Sequence, residues 1–252
     1  MYVKHSKLEI SNPDSSAIWR YMNFDKFQNI LEDASLFFCR ADKLGEKWEG
    51  ILPKKMIKKF SMEEKKILSS NGNTYNLKEW HKSRELRSHL INCWHVNNDE
   101  SYEMWKTYAS KNNSISTKSI AIQSTIGRLK NSFHKTVEKI YIGEVKYIDH
   151  NILKPKNRFL NIGRPNTLEV FFLKRKEFKL EQELRAIINQ AFVNHKSEIG
   201  INVKCNLNRL IVKIVLSPTS DEALLINVEK IVRRFGFKFE VIKSELSKNP
   251  YM

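Results

Sequence analysis

Apolar residues recur along the chain in short runs, and their spacing alternates between the two-residue period of strands and the three-to-four-residue period of helices. The segment 17–24 is rich in aromatic residues and predicts a strand, and residues 25–33 predict a helix with Phe27, Ile30 and Leu31 on one side. The same reasoning predicts further strands at 35–41, 90–96, 119–125, 139–149, 168–174, 208–218 and 237–244, and helices at 53–70, 77–90, 98–110, 126–133 and 224–235.

These elements do not alternate regularly, because several strands follow one another and the helices are clustered. That order predicts an α+β fold rather than a doubly wound one. With only 6 Pro and 8 Gly, and no repeats or low-complexity tract, nothing marks a linker. We therefore expect a single domain over residues 1–252, with a helical insertion at about 53–90 and a C-terminal strand-helix-strand unit at about 208–248.

The segment 179–188, KLEQELRAII, can be read in two ways. As a helix it places its apolar residues at helical spacing, and its two glutamates diverge around the axis. As a strand it places Glu181, Glu183 and Arg185 on one face, with Leu184 and Ile188 on the other. The strand is favoured because the segment has no N-cap and its neighbours are predicted strands. Only the strand brings the two carboxylates together.

The chain carries 44 Lys+Arg against 28 Asp+Glu, a formal net charge of +16. Such a charge favours polyanionic partners such as RNA or DNA, although a diffuse solvated surface would have the same composition. The positive charge is densest in residues 53–60 and 174–179. The candidate nucleic-acid-binding residues are Lys54, Lys55, Lys58, Lys59, Lys174, Arg175 and Lys176.

Other classes of site and location receive no support from the sequence. No apolar run reaches the roughly 18 residues of a membrane span, and the polar N-terminus does not resemble a secretory signal, so we expect no membrane partner and a cytoplasmic location. The three cysteines, with no CxxC pair, indicate neither a disulfide framework nor zinc. The acidic residues of RADKLGEKWEG (40–50) lack the spacing of a calcium loop, so no metal is expected.

Several segments together resemble a large bacterial family that is catalogued only as a domain of unknown function. They are IWRYMNFDKF, LFFCRADKLGEKWEG, NCWHVNNDESYEMWKTYAS, SIAIQST, FKLEQELRAII and the closing LIVKIVLSP with VIKS. The resemblance covers about residues 17–248. It identifies a family without identifying a chemistry.

The order of an early strand arginine, a Ser-Thr pair and a Glu-x-Glu is similar to that of ADP-ribosyltransferases. In this chain the matching residues are Arg20, Ser124 with Thr125, and Glu181 with Glu183. The resemblance implies a split α+β sheet that binds NAD as a substrate in a bent form. The segment QST departs from a full Ser-Thr-Ser motif.

Some members of that superfamily use a His, Tyr and Glu triad, and there Tyr108 would take the middle position instead of Ser124. The resemblance implies that Glu183 stabilises an oxocarbenium-like transition state, Glu181 orients or deprotonates the attacking group, and Arg20 holds the pyrophosphate. The residues expected to contact NAD are Arg20, Tyr21, Arg40, Trp94, Tyr108 and Ser124. If 179–188 is a strand, both glutamates should face a cleft shared with Arg20.

Two functions of different classes follow. The first is an NAD-dependent ADP-ribosyltransferase, a toxin or phage-defence effector that modifies nucleic acid, with RNA favoured over DNA and with a possible antitoxin partner. The alternative is a non-catalytic nucleic-acid-binding module of a defence system. A nuclease with Mg²⁺ held by the acidic residues is a weaker third hypothesis, because no motif supports it.

Overall fold

The computed structural model describes residues 1–46, 48–50, 86–111, 114–149, 168–190 and 197–247. The strands are β1 (Ala17–Asn23), β2 (Ser35–Arg40), β3 (His89–Val96), β4 (Ser110–Lys111), β5 (Ser114–Ile115), β6 (Ser119–Thr125), β7 (Tyr141–Glu144), β8 (Lys146–Ile148), β9 (Leu173–Arg175), β10 (Glu183–Asn189), β11 (Gly200–Lys204), β12 (Lys213–Leu216) and β13 (Glu240–Lys243). The helices are α1 (Phe24–Asp33), α2 (Tyr102–Tyr108), α3 (Ile126–Ser132), α4 (Leu207–Leu210) and α5 (Glu222–Arg234).

One large sheet forks at β3. Its main path runs β11-β2-β3-β1-β6-β12-β13, and β10 pairs with β3 and then with β7. The pairings are antiparallel except for the parallel pair β12–β13, so the sheet is mixed. The predicted α+β class is confirmed.

The fork arises because the two edges of β3 are used differently. One edge pairs with β10 along the whole length from His89 to His95. The other edge is divided, since β1 pairs with the C-terminal end of β3 and β2 with its N-terminal end. Between these two partners, the Asn92 amide donates to the Phe37 carbonyl at 2.9 Å and so satisfies a backbone group that the sheet leaves open.

The alternation of side chains along the strands defines two faces of the sheet. Face A carries Ile18, Trp94 and Leu184 and is covered by α1, α3, α4 and α5, which bury the larger apolar cluster. Face B carries smaller apolar clusters at its two ends, one packed against α2 and the other against Leu168–Phe172, a 3-10 helix. The space between these two clusters on face B is filled by polar side chains.

Side-chain caps explain where the main helices begin. Asn23 accepts a hydrogen bond from the Lys26 amide before α1, and Asp221 accepts one at 2.8 Å from the Leu224 amide before α5. The α1 helix ends at Ala34, whose φ of 43° is left-handed. The helix predicted at 224–235 is thus present as α5, and Asp221 is its N-cap.

Some predicted boundaries are wrong. The segment 168–174 is mostly a 3-10 helix, with the strand starting only at Leu173. The segment 208–218 begins within α4 and becomes a strand at Lys213, because the Asn206 side chain caps a helical turn there. The predicted helix at 53–70, and most of the one at 77–90, lie outside the described residues, and the single-domain assignment stays a prediction. In the ranges described, no helix has the length and apolar character that crossing a membrane requires.

Candidate functional site

The segment 179–188 is a strand from Glu183 onward, so the favoured interpretation is correct for Glu183 and the residues that follow it. Glu181, however, ends a 3-10 helix, Lys176–Glu181, and Gln182 turns the chain with a φ of 39°. Because of that left-handed residue, the two glutamates do not follow the simple alternation of one strand. They nevertheless converge on the same cation.

The cation is Lys174, which comes from β9. Its Nζ lies 2.5 Å from Glu181 Oε2, 3.2 Å from Glu183 Oε2 and 3.4 Å from Glu49 Oε1. The Lys174 side chain is 6% exposed, so the prediction that it belongs to a basic surface for nucleic acid is wrong. Its role in the structure is to bridge three carboxylates that would otherwise repel one another.

Arg185 completes what we call the charge cluster, which consists of Glu49, Lys174, Glu181, Glu183 and Arg185. Its guanidinium binds Glu183 in a bidentate manner, with Nε and Nη2 each 2.9 Å from a carboxylate oxygen. The same group lies 2.7 Å from Glu49 Oε2 and donates to the Phe171 carbonyl at 2.6 Å. As predicted for a strand, Arg185 and Glu183 share a face while Leu184 packs into the core behind.

Burial and neighbouring charges act in opposite directions on Glu183. Burial raises the pKa of the carboxyl group, but the charge and hydrogen bonds of Arg185, with the charge of Lys174, lower it to about 2. Burial would lower the pKa of Lys174, and the surrounding carboxylates raise it instead. Glu183 and Lys174 are therefore both ionised at neutral pH. Three carboxylates face two cations, which leaves the charge cluster formally one negative charge in excess.

Two tyrosines and a histidine surround the acidic side of the cluster. The Tyr108 hydroxyl donates to Glu181 Oε2 at 3.0 Å, and burial together with that carboxylate raises its pKa. The Tyr147 hydroxyl accepts from the Glu183 amide at 2.8 Å. His95 Nδ1 lies 2.6 Å from the Glu181 carbonyl, which can only accept, so Nδ1 carries the proton. Burial lowers the pKa of His95, and the imidazole is neutral.

A pocket of about 290 Å³ opens beside Glu183, where β3 and β10 meet the N-terminal segment. Its walls consist mainly of amide-bearing and other polar side chains. The lining residues are Asn12, Ser16, Val96, Asn97, Asn98, Glu144, Val145, Tyr147, Gln182 and Glu183. Glu183 is thus one of the residues that line this pocket, while its carboxylate is bound by Arg185 and Lys174.

Arg20 does not share this cleft, and that expectation is wrong. In the β1–β3 register, Trp19 is opposite His95, and in the β3–β10 register His95 is opposite Glu183. The neighbouring residue Arg20 therefore points to face A. There its guanidinium lies 5.9 Å from the centre of the Trp94 ring, and burial lowers its pKa to about 10.

The other predicted NAD contacts are mostly engaged elsewhere. Ser124 is buried and donates to the Leu210 carbonyl at 2.6 Å, which ties β6 to α4. The Tyr21 hydroxyl accepts from the Ser101 amide at 2.9 Å within the core. Trp94 is 2% exposed, and Arg40 pairs with Asp42 at 2.6 Å. Of the two candidates for the middle position of the motif, the structure brings only Tyr108 to the glutamates.

The remaining basic candidates divide into two groups. Arg175 pairs with Glu46 at 3.1 Å, and Lys176 is exposed and pairs with Asp149 at 3.2 Å. The four lysines of the other basic run fall outside the described residues; they are Lys54, Lys55, Lys58 and Lys59. Their assignment to nucleic-acid binding stays a prediction.

Sequence reasoning did not identify Glu49, His95 or Tyr147 as site residues. Glu49 lies in the acidic segment 40–50, for which no metal is expected, and its pairing with Arg185 depends on a contact across 136 residues. No local pattern carries that information. Within the described ranges, no group of His, Cys, Asp or Glu residues has an arrangement suited to a metal ion.

Comparison with known proteins gives no family assignment. No protein-family model and no curated protein matches the chain. Among solved structures, Thermus sp. 2.9 DarT in complex with ADP-ribosylated ssDNA is similar with 10% identity, over 95% of this chain and 98% of that chain, at a TM-score of 0.41. The same protein in complex with NAD+ gives 9% identity, over 95% of this chain and 100% of that chain, at a TM-score of 0.41. Similarity of this degree carries no functional conclusion, so the site is interpreted from its own residues.

Proposed function

We propose that the chain is an NAD-dependent ADP-ribosyltransferase whose acceptor is a nucleic acid. The observation that carries the proposal is Glu183, a residue of the pocket wall whose buried carboxylate is held ionised by Arg185 and Lys174. Breaking the bond between nicotinamide and ribose generates positive charge on the ribose. A fixed anion at that point stabilises the transition state more than the ground state. Glu183 has these properties, because its low pKa keeps it charged throughout the neutral range.

Lys174 allows Glu183 to exchange partners without leaving a charge unpaired. Its ammonium contacts Glu49 and Glu181 as well as Glu183, at distances of 3.4 Å or less. When a ribose hydroxyl donates to Glu183, Lys174 remains neutralised by the other two carboxylates. The two hydrogen bonds from the Arg185 guanidinium keep the Glu183 carboxylate in the same position during this exchange.

Glu181 and Tyr108 are the residues that we assign to activation of the acceptor. Tyr108 is 49% exposed and donates to Glu181, so this pair lies at the solvent side of the buried cluster. An acceptor that approaches from solvent meets this carboxylate first, and Glu181 would orient it or take its proton. Arg20 lies on face A and takes no part, so other residues hold the pyrophosphate.

The net charge of +16 supports a polyanionic acceptor. It equally supports the alternative of a nucleic-acid-binding module without catalysis, which would bind in a salt-sensitive manner whether NAD is present or not. RNA as the preferred acceptor, a toxin role and an antitoxin partner stay predictions.

The test is transfer of label from NAD carrying a radiolabelled adenylate, with single-stranded DNA, RNA and cell protein as separate acceptors. We expect label on nucleic acid, a loss of at least 100-fold in Glu183→Gln, and about a 10-fold loss in Tyr108→Phe, which removes one hydroxyl with little change in packing. Glu177→Gln is the matched control, since Glu177 is an exposed carboxylate of the 3-10 helix Lys176–Glu181, which directly precedes Glu183 in the chain.

Each variant is first checked for a cooperative thermal transition, because Glu183 is buried and its replacement can unfold the protein. A folded wild-type protein that labels none of the three acceptors would overturn the proposal. Salt-sensitive binding of nucleic acid in that protein would then favour the non-catalytic alternative.

A further inference from the structure

The segment that leads from α5 into β13 combines a run of positive charge with two partly exposed aromatic rings. Residues 229–239, EKIVRRFGFKF, contain four cations and one carboxylate. Arg233 lies 3.6 Å from Glu229, and the other three cations have no carboxylate partner among the residues that the structure describes. All four cations are exposed, namely Lys230, Arg233, Arg234 and Lys238. Their charge is therefore available to a ligand, unlike that of the basic run at 174–176, which is paired with carboxylates.

The end of α5 holds the two rings in place. The Phe237 amide donates to the Val232 carbonyl at 3.0 Å and the Gly236 amide donates to the Arg233 carbonyl at 2.9 Å, which is the pattern of a helix that ends at a left-handed glycine. No atom lies within 4 Å of the position that a Cβ of Gly236 would occupy, so the space beside this turn is open. The rings of Phe237 and Phe239 are stacked, with centroids 5.0 Å apart and planes at 16°. Both rings pack on the large apolar cluster of face A and stay partly exposed.

This segment lies at the same end of the strands as Glu183. The registers of the sheet align one residue from each of six strands into a single row that runs from β10 to β13. The row consists of Glu183, His95, Trp19, Gln123, Lys213 and Glu240. With strands about 4.8 Å apart, the row is roughly 24 Å long. Residues 233–239 end next to Glu240, so an extended ligand that follows the row reaches from them to Glu183.

Exposed cations beside stacked rings suit single-stranded nucleic acid better than other polyanions. Lysine and arginine bind the phosphates of such a strand, and its unpaired bases stack on aromatic side chains. The bases of a duplex are already stacked on one another, and a lipid headgroup presents no flat ring. Basic residues in the last turn of α5 also complement the helix dipole, but the dipole explains neither Lys238, which lies beyond the helix, nor the pair of rings.

We propose that residues 233–239 form a binding surface for single-stranded nucleic acid. Arg234 and Lys238 contact phosphates, and a base stacks on the exposed side of the Phe237–Phe239 pair. The inference rests on the proposed function for its role in catalysis, because this surface holds a distant part of the acceptor strand whose reacting group lies at Glu183. Binding itself requires neither NAD nor turnover.

The charges are tested by fluorescence anisotropy without NAD, with single strands of DNA and RNA and with a duplex of equal length. We expect Arg234→Gln/Lys238→Gln to weaken single-strand binding by at least about 10-fold at 50 mM salt. Its slope of log affinity against log salt should be shallower by about 1.4, because each phosphate contact of a single strand contributes about 0.7. The control Lys135→Gln/Lys139→Gln removes two exposed charges elsewhere and should change the slope by less than about 0.5.

The rings are tested by Phe237→Leu, in which leucine keeps an apolar side chain at the end of α5 but has no ring face. We expect binding about 10-fold weaker with an unchanged salt slope, since stacking involves no counterion release. The matched control is Phe24→Leu, because Phe24 is also partly buried and packs on the same apolar cluster. It should bind as the wild type does. Thermal unfolding of each variant checks that the fold is retained.

Two results would overturn the proposal. One is tighter binding of the duplex, which has the higher charge density, together with no effect of Phe237→Leu. The other is a loss of binding to phosphatidylserine vesicles in the double variant while its binding to single strands is unchanged, which would assign the segment to a membrane surface.

Label transfer separates this proposal from the transferase. If the variants lose binding as expected and the wild type labels no acceptor, the transferase is contradicted and the binding surface stands. If the wild type transfers label and the variants bind as tightly as their controls, the binding surface is contradicted and the transferase stands. If both are correct, Arg234→Gln/Lys238→Gln raises the KM for the nucleic acid by at least about 10-fold.

Discussion

At the scale of single residues, the acidic pair in the sequence is a buried ionic assembly rather than a solvated surface. Glu183 and Arg185 are 6% and 0% exposed, respectively. Removing one partner from such an assembly leaves a buried charge without compensation, which costs much more than the pair itself contributes. Replacing any one side chain of the charge cluster is therefore expected to affect the stability contributed by the others.

This coupling gives Glu183 a defined pH dependence. The folded pKa of about 2 lies below the ordinary value of about 4.3, so the ionised carboxylate stabilises the fold above pH 4 and the contribution disappears as the pH falls toward 2. We expect Glu183→Gln to lower the free energy of unfolding by about 3 to 5 kcal/mol at neutral pH. Denaturant unfolding of both proteins should give a constant difference above pH 5 and a smaller one below pH 4. A difference independent of pH down to pH 2.5 would contradict the assignment.

Lys174 offers a second test at the same scale. In Lys174→Met, three carboxylates face only Arg185, so at least one of their pKa values rises in the folded state. We expect about 3 to 5 kcal/mol of destabilisation at pH 7, shrinking as the pH is lowered toward 5, because a carboxyl group with a raised pKa gains protons on folding. Lys176→Met, an exposed neighbour, should change the free energy of unfolding by less than about 0.5 kcal/mol at either pH. Equal effects of the two substitutions would show that Lys174 is not buried among carboxylates.

At the scale of elements, the spacing of apolar residues predicted the helices and strands whose formation depends mainly on neighbouring residues. The strands at 17–24 and 119–125 and the helix at 25–33 follow from residue spacing and caps, and the structure places them there. Residue spacing also predicted that Arg185 shares the face of Glu183. It could not predict that Arg20 would point away from them, because facing depends on the register between strands that lie far apart in sequence. The ion pair between Glu49 and Arg185 could not be predicted either, because these residues lie 136 positions apart in the sequence.

The C-terminal helix α5 provides a test of one such local determinant. The Asp221 side chain caps its first turn, and we expect Asp221→Ala to lower the free energy of unfolding by about 1 kcal/mol. Asp221→Asn keeps an oxygen that accepts the same hydrogen bond and should lose much less. Urea unfolding of the three proteins gives the comparison. A loss as large in the asparagine variant as in the alanine variant would contradict the capping role.

At the scale of the whole molecule, the excess of positive charge should be visible in binding. A protein of formal charge +16 that neutralises phosphates releases counterions, so the logarithm of its affinity should fall linearly with the logarithm of the salt concentration. For a contact with six to ten phosphates of a single strand, affinity should drop by about 300-fold to 10⁴-fold between 50 and 200 mM salt. Fluorescence anisotropy with single-stranded DNA and RNA of equal length measures the slope. A slope near zero would contradict a polyanionic acceptor and both functions that depend on it.

The divided strand β3 has a consequence for the order of events during protein synthesis. Its full-length partner is β10, about a hundred residues later, and Arg185 and Lys174 arrive with that late segment. A chain that is still being translated therefore contains Glu49 without either of its cations. The charge cluster and the pocket beside it can assemble only after Glu183 has left the ribosome, so a nascent or truncated chain that stops before β10 cannot carry the site.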